Sequence, residues 1–391
     1  MKSKLKHPLC TLVSAGCARY GRRDGVSAAE LLDEALDELF SNCPRLSRED
    51  IKGIYIGQAF EAFEHKASGA EVTNNYGFRN LPTIRTETAS SSGGASLRLG
   101  VLAILSGMYD VVLCCGTEKM TSVDTSDAVE IISMASNRAF EQWSGANLAA
   151  LNALAAMEHM RRYGTTEEQL AAVAVKNHEN AFDNPKAYLH KQVSVKKVLS
   201  SKIVCSPLKL YDCSPMCDGA SAVALCSSDI AEKFTDAPID IVGSGEASDS
   251  DVVFREDITS FRSTRLSSRN ALAMSGLDIK DMDLIELHDA FTINEIIAYE
   301  DLGLCKTGEG GRFAESGATN IDGVIPVNTS GGLKAKGHPI GSSGIGQVYE
   351  VYQQLSGRVA GSRRVNNAQI AMAHSMGGAG VTAFVHVFKN R

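Results

Sequence analysis

The chain has 391 residues, 44% of them hydrophobic and 22% charged, with a net charge of −7 and a pI of about 5.8. That length can bury a large core in two domains or two similar halves, and the acidic balance argues against nucleic acid as the main partner. No apolar run reaches the about 18–20 residues that cross a bilayer, and the basic start lacks the apolar region of a signal peptide, so no membrane association is expected. The ten cysteines are scattered. With no export signal they predict a reduced, cytoplasmic protein.

In chain order, residues 11–14 predict a first strand. Residues 28–40 space Leu31, Leu32, Ala35, Leu36, Leu39 and Phe40 as one helical face, with acids opposite. Residues 54–57 predict a short strand. The stretch TASSSGGASL, 88–97, leads into a nearly uncharged helix over 93–106, apolar almost all round and therefore expected between two layers. Residues 110–116 form an apolar run, as in a strand covered on both faces. From about 120 to 207 the chain is more polar and reads as an insertion, with a helix over 147–162 and a helix start at 165–168. His159 is expected on that first helix's surface. Lys176, Lys186, Lys191, Lys196, Lys197 and Lys202 are spread along the insertion, as a solvated face or as a patch for an anionic ligand. Cys213 and Cys217 lack the further ligands of a zinc site and read as packing residues near a turn, so no metal is expected. After 235 a second half begins: strands at 239–243 and 282–287, helices near 267–274 and 292–299, a glycine-rich loop and helix, and strands at 368–373 and 381–388. The division expected is 1–235, carrying a loop domain at about 120–207, and 236–391.

The halves echo each other. Residues 91–107 read SSGGASLRLGVLAILSG and residues 342–357 read SSGIGQVYEVYQQLSG. Each is followed by an apolar strand running into small residues. An internally duplicated α/β fold follows.

Other motifs fall short. GSG at 243–245 is not a GxGxxG fingerprint, and GGLKAKGHPIG lacks P-loop spacing. No GxSxG elbow supports a hydrolase reading of the serines. Three histidines have a better setting: His288 in ELHDAF, His338 in KGHPIGSSG and His374 in AMAHSMGGAG. Each sits at a strand end or loop beside small residues, where α/β proteins place chemistry.

Together ELHDAFTINE, GHPIGSSGIGQ and YDCSPMCDGASAVAL resemble the thiolase superfamily, in the branch carrying HDAF or HDCF: the sterol-carrier-protein-2 type and the archaeal acetoacetyl-CoA type. The resemblance covers nearly the whole chain. It implies a five-layered αβαβα sandwich of two similar βαβαβαββ halves with an inserted loop domain. It also implies a CoA-dependent acyltransferase that thiolyses a 3-oxoacyl-CoA or runs the reverse Claisen condensation. In such enzymes a cysteine at the N-terminus of the buried helix takes the acyl group, made a thiolate by the helix dipole and a histidine. By this resemblance His338 is the activating histidine, His288 holds the thioester oxygen, and the Gly378 N–H serves a second oxyanion hole. Ser260, Phe261 and Thr264 become neighbours of the CoA pantetheine, and the insertion's lysines could meet the CoA phosphates.

Two departures stand out. Aligned on Ser92-Gly93-Gly94, the cysteine position is Ser90. A hydroxyl is far less acidic than a thiol, whose free pKa is about 8.5, and needs a base to attack. Three readings of Ser90 follow: an engineered replacement of a natural cysteine, a natural serine with slow or altered chemistry, or a non-catalytic subunit that binds CoA esters or a partner. The second acid/base cysteine is also missing, because Ala290 stands in HDAF and Ser375 in the terminal loop. His374 is its expected substitute.

Members of this branch also work with a separate small zinc-ribbon/OB-fold protein, which makes such a subunit an expected partner alongside a homodimer. Acetoacetyl-CoA and 2-benzoylsuccinyl-CoA are the candidate substrates. Ala290 leaves room for a bulkier acyl group.

Overall fold

The computed structural model describes residues 8–60, 76–78 and 80–391. Strand β1 (Cys10–Cys17) leads to helix α1 (Ala28–Asn42), strands β2 (Gly53–Gly57) and β3 (Thr83–Thr86), helix α2 (Ser92–Leu105) and strand β4 (Val111–Lys119). The chain then passes through helices α3 (Leu148–Tyr163) and α4 (Glu167–Phe182) before returning as strand β5 (Asp218–Cys226). The second half is built mainly on β6 (Ile239–Ser248), α5 (Arg262–Ser275), β7 (Leu284–Glu286), α6 (Thr292–Leu302), α7 (Ile340–Leu355), β8 (Ile370–Gly377) and β9 (Thr382–Asn390).

The strands run in the order β3-β2-β4-β5-β1-β6-β9-β8-β7. The first-half and second-half strands meet where β1 pairs β6, Cys10 opposite Ile241. The pairing itself is duplicated. β2 lies parallel to β4, which is antiparallel to β5, which is antiparallel to β1. In the second half β7 lies parallel to β8, which is antiparallel to β9, which is antiparallel to β6. Edge strand β3, parallel to β2, has its counterpart in a single parallel bridge between Ile285 and Val327.

Helices sort into three layers around these strands. α1 covers β1, β4 and β5 on one outside, and α5 covers β6 and β9 on the other. Between them α2 and α7 pack on each other, α2 also touching β2 and β4, α7 also touching β4, β5 and β8. The result is the αβαβα sandwich. The sequence explains the difference between outer and central helices. α1 is one-sided: it starts at a Ser27–Glu30 capping box and buries Leu31, Leu32, Ala35, Leu36 and Leu39. α2 has no polar side to spare and is buried from Ser92 to Leu97 and again at Gly100, Val101, Ala103 and Ile104.

The first turns of α2 and α7 touch through their backbones. A Cβ on Gly344 would lie 2.5 Å from the Gly94 nitrogen, and one on Gly93 would lie 2.9 Å from the Ile345 nitrogen. Only glycine permits that approach.

Two sequence expectations are corrected in the inserted segment. His159 is not on a helix surface: it is fully buried, its Nδ1 2.7 Å from Thr165 Oγ1 and its Nε2 3.1 Å from Glu300 Oε1 on α6. Lys176 is not part of a solvated or anion-binding face: it is buried and ion-paired with Glu295 at 2.5 Å. Both side chains look inward because α3 and α4 pack on α6 of the other half. No described helix is long and apolar enough to cross a membrane.

Candidate active site

Position 90 lies between β3 and α2 in a strained turn. Ala89 has φ = +50°, the left-handed region, which costs a non-glycine residue roughly 1–3 kcal/mol. The turn is held by hydroxyls: Ser92 Oγ donates to the Ala89 carbonyl (2.6 Å) and accepts from the Thr88 N–H (3.0 Å), while Ser91 Oγ reaches the Thr88 carbonyl (2.8 Å). Ser90 is buried on the wall of a cavity of about 260 Å³. Its hydroxyl makes no hydrogen bond to a described residue. Residue 90 sits one step before the N-cap of α2, where the helix dipole favours a negative atom.

His338 lies just before α7 on the same cavity. Its Nδ1 is 2.7 Å from Ser343 Oγ. Ser343 gives its one proton to the Pro339 carbonyl at 2.9 Å, so Nδ1 of His338 donates. The lone pair is left on Nε2. Burial pushes His338 down to about 3, so the ring is a neutral base near pH 7.

His288 follows β7 on the loop leading to α6, lines the cavity, and stands edge-on to His338 with ring centroids 5.1 Å apart. Burial, and then His338 and His374, hold it well below the ordinary histidine range. Its buried Nδ1 has no partner among the described residues. Gly378, at φ = +60°, completes the wall just after β8. Most of the remaining wall is apolar, including Val129, Ile132, Leu148, Met216, Ala290 and Phe291.

Two carboxyl groups tie these loops together. Asp289 accepts the N–H groups of Leu333 (2.7 Å) and Lys334 (3.2 Å), fastening ELHDAF to the loop that carries His338. Glu118 accepts from the N–H groups of Ala59 (2.8 Å) and Gly341 (3.0 Å), and burial pushes it up to about 8.

The structure therefore brings Ser90, His288, His338 and Gly378 onto one cavity. It does not bring His374 there. His374 is fully buried behind the wall, with Nε2 2.9 Å from Thr264 Oγ1 and Nδ1 accepting from the His288 N–H at 3.5 Å. Both ring nitrogens are engaged and burial pushes the ring down to about 3, so it is placed to position His288, not to reach a substrate. The three expected pantetheine neighbours go with it. Thr264 and Phe261 are buried, Ser260 bonds Asp301, and none of the three is among the described residues on the cavity wall. Sequence reading missed Cys213, which does line the cavity, and Ser343, which orients His338. The SSG echo was the available signal for Ser343.

A helix start and a neutral histidine on one mostly apolar cavity suit acyl transfer of the kind built on a nucleophile and a base. Comparison with known proteins makes the class specific. Residues 11–229 match the family described as Thiolase, N-terminal domain, and residues 245–390 match Thiolase C-terminal domain-like. The chain belongs to the thiolase family and is a thiolase-type acyltransferase. It is 46% identical to an acetyl-CoA acetyltransferase of Methanothermobacter thermautotrophicus, over 87% of this chain and 88% of that one. It is 33% identical to the benzoylsuccinyl-CoA thiolase subunit BbsB of Thauera aromatica, over 84% of both chains. Its fold is similar to that of a solved "Ltp2-ChsH2(DUF35) aldolase" (TM-score 0.85, 23% identity, 96% and 97% covered). It is also similar to that of human mitochondrial 3-ketoacyl-CoA thiolase (TM-score 0.74, 18% identity, 98% and 99% covered).

Proposed function

We propose that this thiolase transfers the acyl group of a 3-oxoacyl-CoA to CoA, or runs the reverse condensation, through an ester on Ser90. The observation that carries the reading is the convergence of Ser90, His288, His338 and Gly378 on one mostly apolar cavity. Ser90 Oγ adds to the 3-carbonyl carbon while Nε2 of His338 takes its proton. The Gly378 N–H holds the oxygen of the adduct, and His288 holds the thioester oxygen. His374 positions His288 from behind. Because the hydroxyl starts un-ionised, the step leans on His338 more heavily than a thiolate would.

Two substrates compete. The acetyltransferase relative favours acetoacetyl-CoA and the benzoylsuccinyl-CoA relative favours an aromatic 3-oxoacyl-CoA. The apolar wall and the small Ala290 favour the bulkier group. CoA is the co-substrate; among the insertion's lysines, Lys191, Lys196, Lys197 and Lys202 are exposed and free to meet its phosphates. A homodimer and a small second subunit complete the proposal, the latter supported by the description of the structural relative as "Ltp2-ChsH2(DUF35) aldolase", which names a second, DUF35 component.

The Ser90→Cys variant tests the reading. Thiolysis of acetoacetyl-CoA or 2-benzoylsuccinyl-CoA should rise at least tenfold over the Ser90 protein, with an acyl adduct on residue 90 detected by mass spectrometry. If neither appears, with or without a zinc-ribbon partner, the chain is a CoA-ester-binding subunit and the enzymatic reading of this site fails.

A further inference from the structure

Breaking the bond between the α-carbon and the 3-carbonyl leaves an electron pair on the α-carbon, which must take a proton. His338 is committed to residue 90, and His374 points away from the cavity with both nitrogens engaged. Cys213 is differently placed. It lines the same cavity as Ser90, His288 and His338. Its segment is joined to the ELHDAF segment by a single bridge: Cys213 is bridged to Phe291, and the Ser214 N–H donates to the Ala290 carbonyl at 2.8 Å. The Cys213 backbone therefore stands next to the alanine of HDAF, and its Sγ donates to the Lys209 carbonyl at 3.4 Å.

A second observation concerns the same residue. Lys334 is buried, and its ammonium donates to the Cys213 carbonyl at 2.6 Å and to no other described acceptor. Its backbone is fixed by Asp289. A buried cation with donors to spare beside a cavity thiol is an arrangement that stabilises a thiolate when one forms.

We propose that Cys213 is the catalytic residue that exchanges a proton with the substrate α-carbon, its thiolate form supported by Lys334. The inference rests on the acyl-transfer reading above. In the cleavage direction the α-carbon bond to the 3-carbonyl breaks, its electron pair stays on the α-carbon, and that carbon takes the proton from Cys213 Sγ. The acyl group remains on residue 90 and the shortened acyl-CoA leaves. The incoming CoA thiol reprotonates the Cys213 thiolate, and its sulfur attacks the acyl group. Residue 90 departs and recovers its proton from His338. Burial pushes the resting Cys213 thiol up to about 12, so it waits in the protonated form this direction requires.

The test separates the two steps in the Ser90→Cys background. Acyl-enzyme formation is followed by mass spectrometry, and exchange of acetyl-CoA methyl hydrogens in D2O by NMR. Cys213→Ala should slow exchange at least 100-fold and leave acyl-enzyme formation from acetyl-CoA, in which no α-carbon bond breaks, within about threefold. Exchange at the parental rate in Cys213→Ala overturns the role of Cys213 alone. Absence of both acyl-enzyme and exchange in the parent overturns the acyl-transfer reading with it. Should Cys213→Ala not fold, alkylation of Cys213 by iodoacetamide in the Ser90 protein decides: protection by acyl-CoA supports the assignment, and unchanged labelling overturns it.

Discussion

The two central helices are copies that now differ in what they present to the cavity. Both carry Ser-Ser-Gly at or near their starts, and in both the second serine turns its hydroxyl back toward the N-terminal side: Ser92 to the Ala89 carbonyl, Ser343 to the carbonyl of Pro339, the N-cap of α7. In the first half that hydroxyl holds the turn that exposes residue 90. In the second half it also meets His338 Nδ1 and sets which nitrogen carries the lone pair. In the proposed reaction one helix start thus serves the nucleophile position and its counterpart serves the base. The backbone contact at Gly93 and Gly344 brings the two starts together, so neither half is complete alone.

Removing the base breaks this division of labour most severely. His338→Ala in the Ser90→Cys background should lower kcat by about 10²–10⁴-fold, the range for a positioned general base. The acid limb is a second check. Because burial pushes His338 down to about 3, activity should not fall as pH drops through the ordinary histidine range near about 6.5. A fall there, or a His338→Ala loss below threefold, would mean that the second helix start does not supply the base.

The contact between the copies is the next point of attack. Gly344→Ala would put a methyl 2.5 Å from the Gly94 nitrogen and 3.0 Å from the Gly93 carbonyl carbon. Those are backbone atoms at the centre of the sandwich and cannot swing aside. Overpacking of this kind costs about 1–3 kcal/mol and sometimes more, readable as a lower urea midpoint. An unchanged midpoint would show that the two helix starts are less tightly fitted than the geometry gives.

How far the sequence was legible follows from where each partner sits in the chain. The run of apolar residues now in β4 and the one-sided face of α1 carry their burial in local patterns, and both elements form where those patterns put them. The echo around the two Ser-Ser-Gly motifs exposed the duplication, because duplicated helices keep their ends. Residues buried by distant partners were misread. His159 meets Glu300, 141 residues away, and Lys176 meets Glu295, 119 residues away, and no local pattern encodes either. His374, expected at the end of a strand over 368–373, lies inside β8 (Ile370–Gly377) and turned away from the cavity, since strand alternation alone does not say which face borders it. Cys213 was hidden by distance: its link to Ala290 and Phe291 exists only once the segment just past the insertion folds onto the second half.

The subtlest test addresses the serine that the copies share. Ser343→Ala removes the acceptor of His338 Nδ1–H and leaves the ring free to carry its proton on Nε2 instead. The helix start and the cavity wall remain, so substrate binding should hold. We expect kcat to fall about tenfold, equivalent to about 1.4 kcal/mol, with KM within twofold. Ser92→Ala should behave differently. It leaves the Thr88 N–H unpaired and releases the left-handed Ala89, so it should lower stability by about 1–3 kcal/mol and slow acylation by displacing residue 90. If both substitutions gave the same loss of stability and neither separated kcat from KM, the two serines would be equivalent helix-start residues, and the tautomer of His338 would have to be set by something other than Ser343.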